Sequence, residues 1–199
     1  MLKNKIIVDK IKSVIESKGY SFFTRGDYNL NIIGVRSSSR EANKFDDTLL
    51  CIYKVNDEWQ VNEFAITTDA GTHWLKNPMS KKGCAILKCN QYRGAYQLGF
   101  HRGQYPALVQ KLHVEVYRDN DTDNMLDMNP ETLDKGLFGI NIHRSNPRTE
   151  SSQVNKWSAG CQVFKNVSSY NKFIRTCEHS KDIWKNCFTY TLINESDLL

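Results

Sequence analysis

Six cysteines and five histidines are scattered along this chain, and one of each has neighbours that suggest chemistry. Cys161 follows Ser158, Ala159 and Gly160, residues small enough for a tight turn, and His143 closes the apolar run Leu137 to His143. A free thiol has a pKa of about 8.5, so it needs a base or cation beside it to attack a carbonyl at neutral pH. His143 can be that base if the fold joins the two ends of the polar segment Arg144 to Trp157. Backbone N–H groups of the turn, including that of Cys161, would then converge on the oxygen of the attacked carbonyl. Cys161 is therefore the expected nucleophile and His143 the expected base, with Ser158 and Gly160 shaping the turn.

The remaining sulphur chemistry is bland. The six cysteines are expected to be free thiols, because a chain of 199 residues can close a core without staples. Cys51 lies in an apolar run, and Cys177 and Cys187 stand beside Ile174 and Phe188, as small buried hydrophobes would. Cys84 with Cys89, and Cys177 with His179, lack the spacing of a structural zinc set, so no metal and no cofactor is expected. Asp119, Asp121 and Asp123 alternate as in a calcium loop, but Met125 and Leu126 follow where the central glycine should fall. That stretch is expected to be a solvated hairpin connection. A papain-like arrangement is disfavoured because there the cysteine precedes its histidine.

Arg144, Trp157, Gln162, His101 and Tyr96 are the candidates for substrate binding. Arg144 and Gln162 adjoin the base and the nucleophile, and Trp157 precedes the turn. His101 and Tyr96, with Tyr105, lie in a segment where Gly94, Gly99 and Gly103 permit close backbone approach.

The order of apolar strand, His143, polar loop and Ser-x-Gly-Cys resembles the catalytic segment of the L,D-transpeptidase family. His143 matches the family's base and Cys161 its nucleophile, and Ser158 and Gly160 match the residues flanking the motif's second histidine. Ala159 stands in that histidine's place, and Gln162 and Val163 replace the residues usual after the cysteine. The resemblance implies an L,D-transpeptidase-like β-sandwich or barrel and thioester chemistry on peptidoglycan stem peptides. A looser, longer resemblance, to phage and prophage proteins with this core, covers segments 67–72, 85–88, 91–96, 101–107, 116–120 and 141–144. It implies an endolysin-like hydrolase rather than a cross-linking transpeptidase. The alternative, favoured by Ala159, is a virion-associated or wall-binding protein that keeps the fold without the chemistry.

These residues must be positioned by a mainly β chain with flanking helices. Ile7, Ile11, Val14 and Ile15 recur at helical spacing and Gly19 follows, which predicts one amphipathic helix over 2–18. Short β-type runs follow from 28 to 194: Leu30 to Val35, Thr48 to Val55, Trp59 to Thr67, Cys84 to Lys88, Val109 to Tyr117, Leu137 to His143 and Phe188 to Ile193. A helix is expected around Ser169 to Cys177, and the whole of 1–199 as one domain with the active-site segment at 137–164. Net charge is +5, but no Lys/Arg run exceeds a pair and no nucleic-acid-binding pattern accompanies it. No stretch is apolar enough to span a bilayer, and Lys10, Lys12 and Glu16 interrupt what a secretory signal would need. The expectation is a product made in the cytoplasm that reaches the wall after release or delivery.

Overall fold

The computed structural model describes residues 2–199, with side chains from Asn4 onward. It opens with helix α1 (Leu2–Ser17), whose Val8, Ile11 and Ile15 are buried while Lys10, Lys12 and Glu16 face solvent. Gly19 ends it at φ +74°, donating its N–H to Glu16, while the Tyr20 N–H reaches Ile15 at 3.1 Å. This paired closure needs a left-handed residue, which glycine supplies without steric cost.

The expected sandwich or barrel is a closed barrel. Its eight strands are β1 (Asn31–Arg36), β2 (Asp47–Val55), β3 (Glu58–Thr67), β5 (Asn90–His101), β6 (Tyr105–Gln110), β9 (Ile142–Arg144), β10 (Gln162–Phe164) and β11 (Phe188–Asn194). They run around the barrel as β1-β11-β5-β6-β9-β10-β3-β2, with β1/β11 and β9/β10 parallel. A second sheet, in the order β4-β7-β8, consists of β4 (Cys84–Leu87), β7 (Val114–Asp119) and β8 (Asp134–Gly136). One apolar cluster spans both sheets, joining Leu87, Val114 and Val116 to Leu49, Leu108, Ile142 and Phe164. Each such fully buried side chain contributes roughly 1.5–3 kcal/mol of transfer free energy. Helix α3 (Val167–Trp184) adds Tyr170, Phe173 and Cys177 to this core, with Phe164 and Phe173 at 5.1 Å. Its first turn is capped by Asn166, whose side chain accepts from the N–H groups of Ser168 and Ser169. On another face α1 covers Ile33, Ile52 and Ile193.

Local turn chemistry explains the β2/β3 hairpin. Asn56 and Asp57 both have positive φ, 51° and 64°, between the paired residues Val55 and Glu58, which matches the twist of the flanking strands. Elsewhere the structure differs from the sequence reading. The run Val109 to Tyr117 is not one strand: it breaks at Lys111–His113, and its halves enter different sheets as β6 and β7. Leu137 to His143 is mostly irregular, with strand pairing only from Ile142. The glycine-rich segment is strand β5, twelve residues long. Gly99 lets it pass Val109, whose Cγ2 would be 2.8 Å from an added Cβ, and Gly94, at φ +59°, accompanies a register shift opposite β11. A short helix, α2 (Thr72–Lys76), was not anticipated. All six cysteines are free thiols, and Cys187 is exposed rather than buried because it sits in the turn between α3 and β11. Among the described residues no helix is long and apolar enough to cross a membrane.

Candidate active site

The parallel pair β9/β10 closes the polar loop on itself, setting Val163 beside His143 and Gln162 beside Ile142. Cys161, one step before β10, thereby meets Asn141, one step before β9. The Asn141 N–H points at Cys161 Sγ from 3.4 Å, and the thiol donates to Gly139 O at 3.3 Å. Gln162 N–H reaches back to Asn141 O at 2.9 Å.

Ser158 is buried and staples the turn from within. Its Oγ donates to Cys161 O at 2.8 Å and accepts from Gly160 N–H at 3.1 Å. Gly160 is not available as an oxyanion donor in this arrangement, and among the described residues the Cys161 N–H has no acceptor. Gly160 itself has φ +115°, and a Cβ there would lie 2.2 Å from the Ala85 carbonyl oxygen. The turn is thus pressed against strand β4 where only glycine fits.

Beneath it lies a buried polar brace. Arg36 pairs with Asp69 at 2.8 Å and donates from Nε to Thr68 Oγ1 at 3.0 Å. Asp47 accepts from the N–H groups of Ser37 and Thr68 at 2.7 and 2.6 Å. Burial and neighbouring Asp69 push the Asp47 carboxyl above the usual range. The same loop carries Gly71, whose N–H holds Ser158 O at 3.0 Å.

His143 Nδ1 stands 2.8 Å from Arg144 O, a group that only accepts, so this nitrogen carries the hydrogen and Nε2 keeps its lone pair. Tyr105 Oη adds contacts at 3.1 Å to Nδ1 and 3.3 Å to Arg144 O. Such a tautomer is the one a base requires. Burial, then His101, lowers His143 to about 3, and burial raises the Cys161 thiol to about 11. The resting pair is therefore neutral thiol and neutral imidazole, and no hydrogen bond joins the two side chains. Were the thiol to attack a carbonyl, proton transfer would have to accompany the attack rather than precede it.

Both residues line a cleft of about 880 Å³. Arg102, Arg144 and Lys156 border it, among the described residues no aspartate or glutamate lines it, and Trp157 and Phe138 form apolar walls. Arg144 lies over the Tyr105 ring at 4.0 Å, which keeps its guanidinium at the cleft.

Of the expected binding residues, His101, Arg144 and Trp157 line this cleft, and Tyr96 and Gln162 do not. Tyr96 is fully buried in the barrel, edge-on to Tyr190 at 5.8 Å, because the alternation of β5 turns it inward. Gln162 is also fully buried; its Oε1 accepts from Tyr190 Oη at 2.8 Å and its Nε2 donates to Thr68 O and Gly160 O at 3.3 Å each. It braces the turn instead of facing the cleft. Asn141 and Lys156 also line the cleft, and their only signal in the sequence was proximity to His143 and Trp157. Ala159 leaves the turn without a histidine, yet His101 stacks on His143 with ring centroids 3.9 Å apart and planes at 21°. Comparison of the chain with protein-family models, with curated proteins and with solved structures returns no match.

Proposed function

We propose that the protein is a cysteine acyl-transfer enzyme of L,D-transpeptidase-like architecture acting on peptidoglycan stem peptides, with hydrolysis as its reaction. The observation that carries this reading is a tautomer-fixed, neutral His143 sharing one cation-bordered cleft with the Cys161 thiol. Arg102, Arg144 and Lys156 suit the carboxylates of a stem peptide, and Trp157 and Phe138 suit its apolar faces.

In the proposed cycle Cys161 Sγ bonds to a peptide carbonyl carbon while His143 Nε2 takes the thiol proton. The Cys161 N–H offers a hydrogen bond to the developing oxyanion. His143 then passes its proton to the departing amine as the C–N bond breaks, leaving a thioester. Water attacks that thioester, again losing a proton to His143, and the sulphur leaves and is reprotonated. The steps use side chains and backbone of this chain alone. Preference for water over a second stem's amine rests on the likeness of several segments to phage and prophage proteins. In that setting the enzyme reaches the wall from the cytoplasm by release or delivery.

A second reading, wall binding without turnover, draws on Ala159 and on the thiol hydrogen resting on Gly139 O. Purified walls of several chemotypes, incubated with the protein and analysed by mass spectrometry, separate the two. New free amines and shortened stems, lost in Cys161→Ser, support the enzyme; co-sedimentation with walls and no new product supports the binder.

A further inference from the structure

Asn141 fixes the tautomer of His101. Its Oδ1 accepts from Gln110 N–H at 2.9 Å, a group that can only donate, so its Nδ2 is the atom 3.1 Å from His101 Nδ1. Nδ2 donates, which leaves His101 Nδ1 as acceptor and puts the ring hydrogen on Nε2. His143 is locked the other way by Arg144 O. Two neutral imidazoles thus lie face to face in opposite tautomers, each set by a partner that cannot exchange roles. Asn141 also presents its backbone N–H to Cys161 Sγ, so one residue ties the His101 ring to the nucleophile. His101 ends β5, next to the β5/β6 turn, and reaches the cleft that Ala159 also lines.

We propose that His101 is the second histidine of this site, a positioning residue stacked on His143 and linked through Asn141 to Cys161, acting in place of the histidine that the Ser-Ala-Gly-Cys turn lacks. The proposal rests on reading Cys161 and His143 as nucleophile and base. Its physical content is the ring plane of His143. Without the stacked face, the imidazole is free to rotate about χ2, lose Arg144 O and sample the wrong tautomer.

The direct test needs no variant for its first step. In long-range ¹H–¹⁵N spectra of the histidine-labelled protein at neutral pH, His143 is expected as the Nδ1–H form and His101 as the Nε2–H form. Assignment of His101 to the Nδ1–H form overturns the proposal. In folded His101→Ala, the His143 signals are expected to move toward a tautomer average. Iodoacetamide labelling of Cys161, measured against exposed Cys187 in the same molecule, is expected to fall by about fivefold or more. A His143 pattern and a labelling ratio both unchanged in that variant refute the role. Neither measurement uses cell wall. If walls remain untouched while the tautomers and the labelling behave as stated, the hydrolase reading fails and the positioning role stands.

Discussion

Replacing Gly160 with alanine attacks the Ser158–Cys161 turn through its backbone alone. At φ +115° an L-residue is strained, at a cost of about 1–3 kcal/mol. The new methyl would also sit 2.2 Å from the Ala85 carbonyl oxygen and 3.2 Å from Ile140 Cδ1. Ala85 cannot yield easily, because β4 is paired along its length with β7. Relieving that overlap adds about 1–3 kcal/mol, so the total is placed at about 3 kcal/mol, or about two orders of magnitude in the folding equilibrium. With a urea slope of about 2–3 kcal/mol per molar, the midpoint should fall by about 1–1.5 M. Gly103→Ala is the control: its φ is +70° but nothing lies within 4 Å of the added methyl, so it carries backbone strain alone, about 1 kcal/mol. Equal midpoints for the two variants would refute the claim that the turn is pressed onto β4.

Other outcomes follow from the same geometry. Cys161→Ser should abolish turnover of walls with the fold intact, whereas Cys51→Ala and Cys177→Ala, both buried in the core, should cost about 1 kcal/mol of stability and leave activity per folded molecule unchanged; wall digestion alongside urea melts reads both. His143, lowered from the ordinary value of about 6.5 to about 3, should stay neutral through pH 5 in an NMR titration. Since the unfolded chain still protonates near 6.5, the stability that this group contributes is full above that pH and is lost as pH falls toward 3; a titration midpoint near 6.5 would contradict the burial argument. Gln162→Ala should destabilise by about 2–4 kcal/mol in urea melts, since it strips the hydrogen bond of buried Tyr190 Oη and opens a cavity beneath the turn.

Residue type and local spacing marked Cys161 and His143 as candidates, and the resemblance of the Ser-x-Gly-Cys segment gave the pair its weight, because small residues before a thiol and an apolar run before a histidine are properties of contiguous chain. The same locality made α1, with its glycine stop, legible. The barrel's closure was not. It depends on β1 meeting β11 and β9 meeting β10 in parallel, pairings between distant segments that no local pattern encodes. Glycines Gly94 and Gly99 hid β5, since a strand interior that relies on close backbone approach lacks the β-branched signature. Gln162 was placed in the cleft by nearness to Cys161 and Tyr96 by its place in the glycine-rich segment with His101, but strand alternation and register send each of them inward. The stacking of His101 on His143, and the Asn141 side chain that fixes its tautomer, exist only once β6 lies between β5 and β9. Sequence named the candidate reacting groups, while tertiary structure decided their tautomers, their solvation and their neighbours, because hydrogen-bond geometry and burial are set by groups that meet only when the barrel closes.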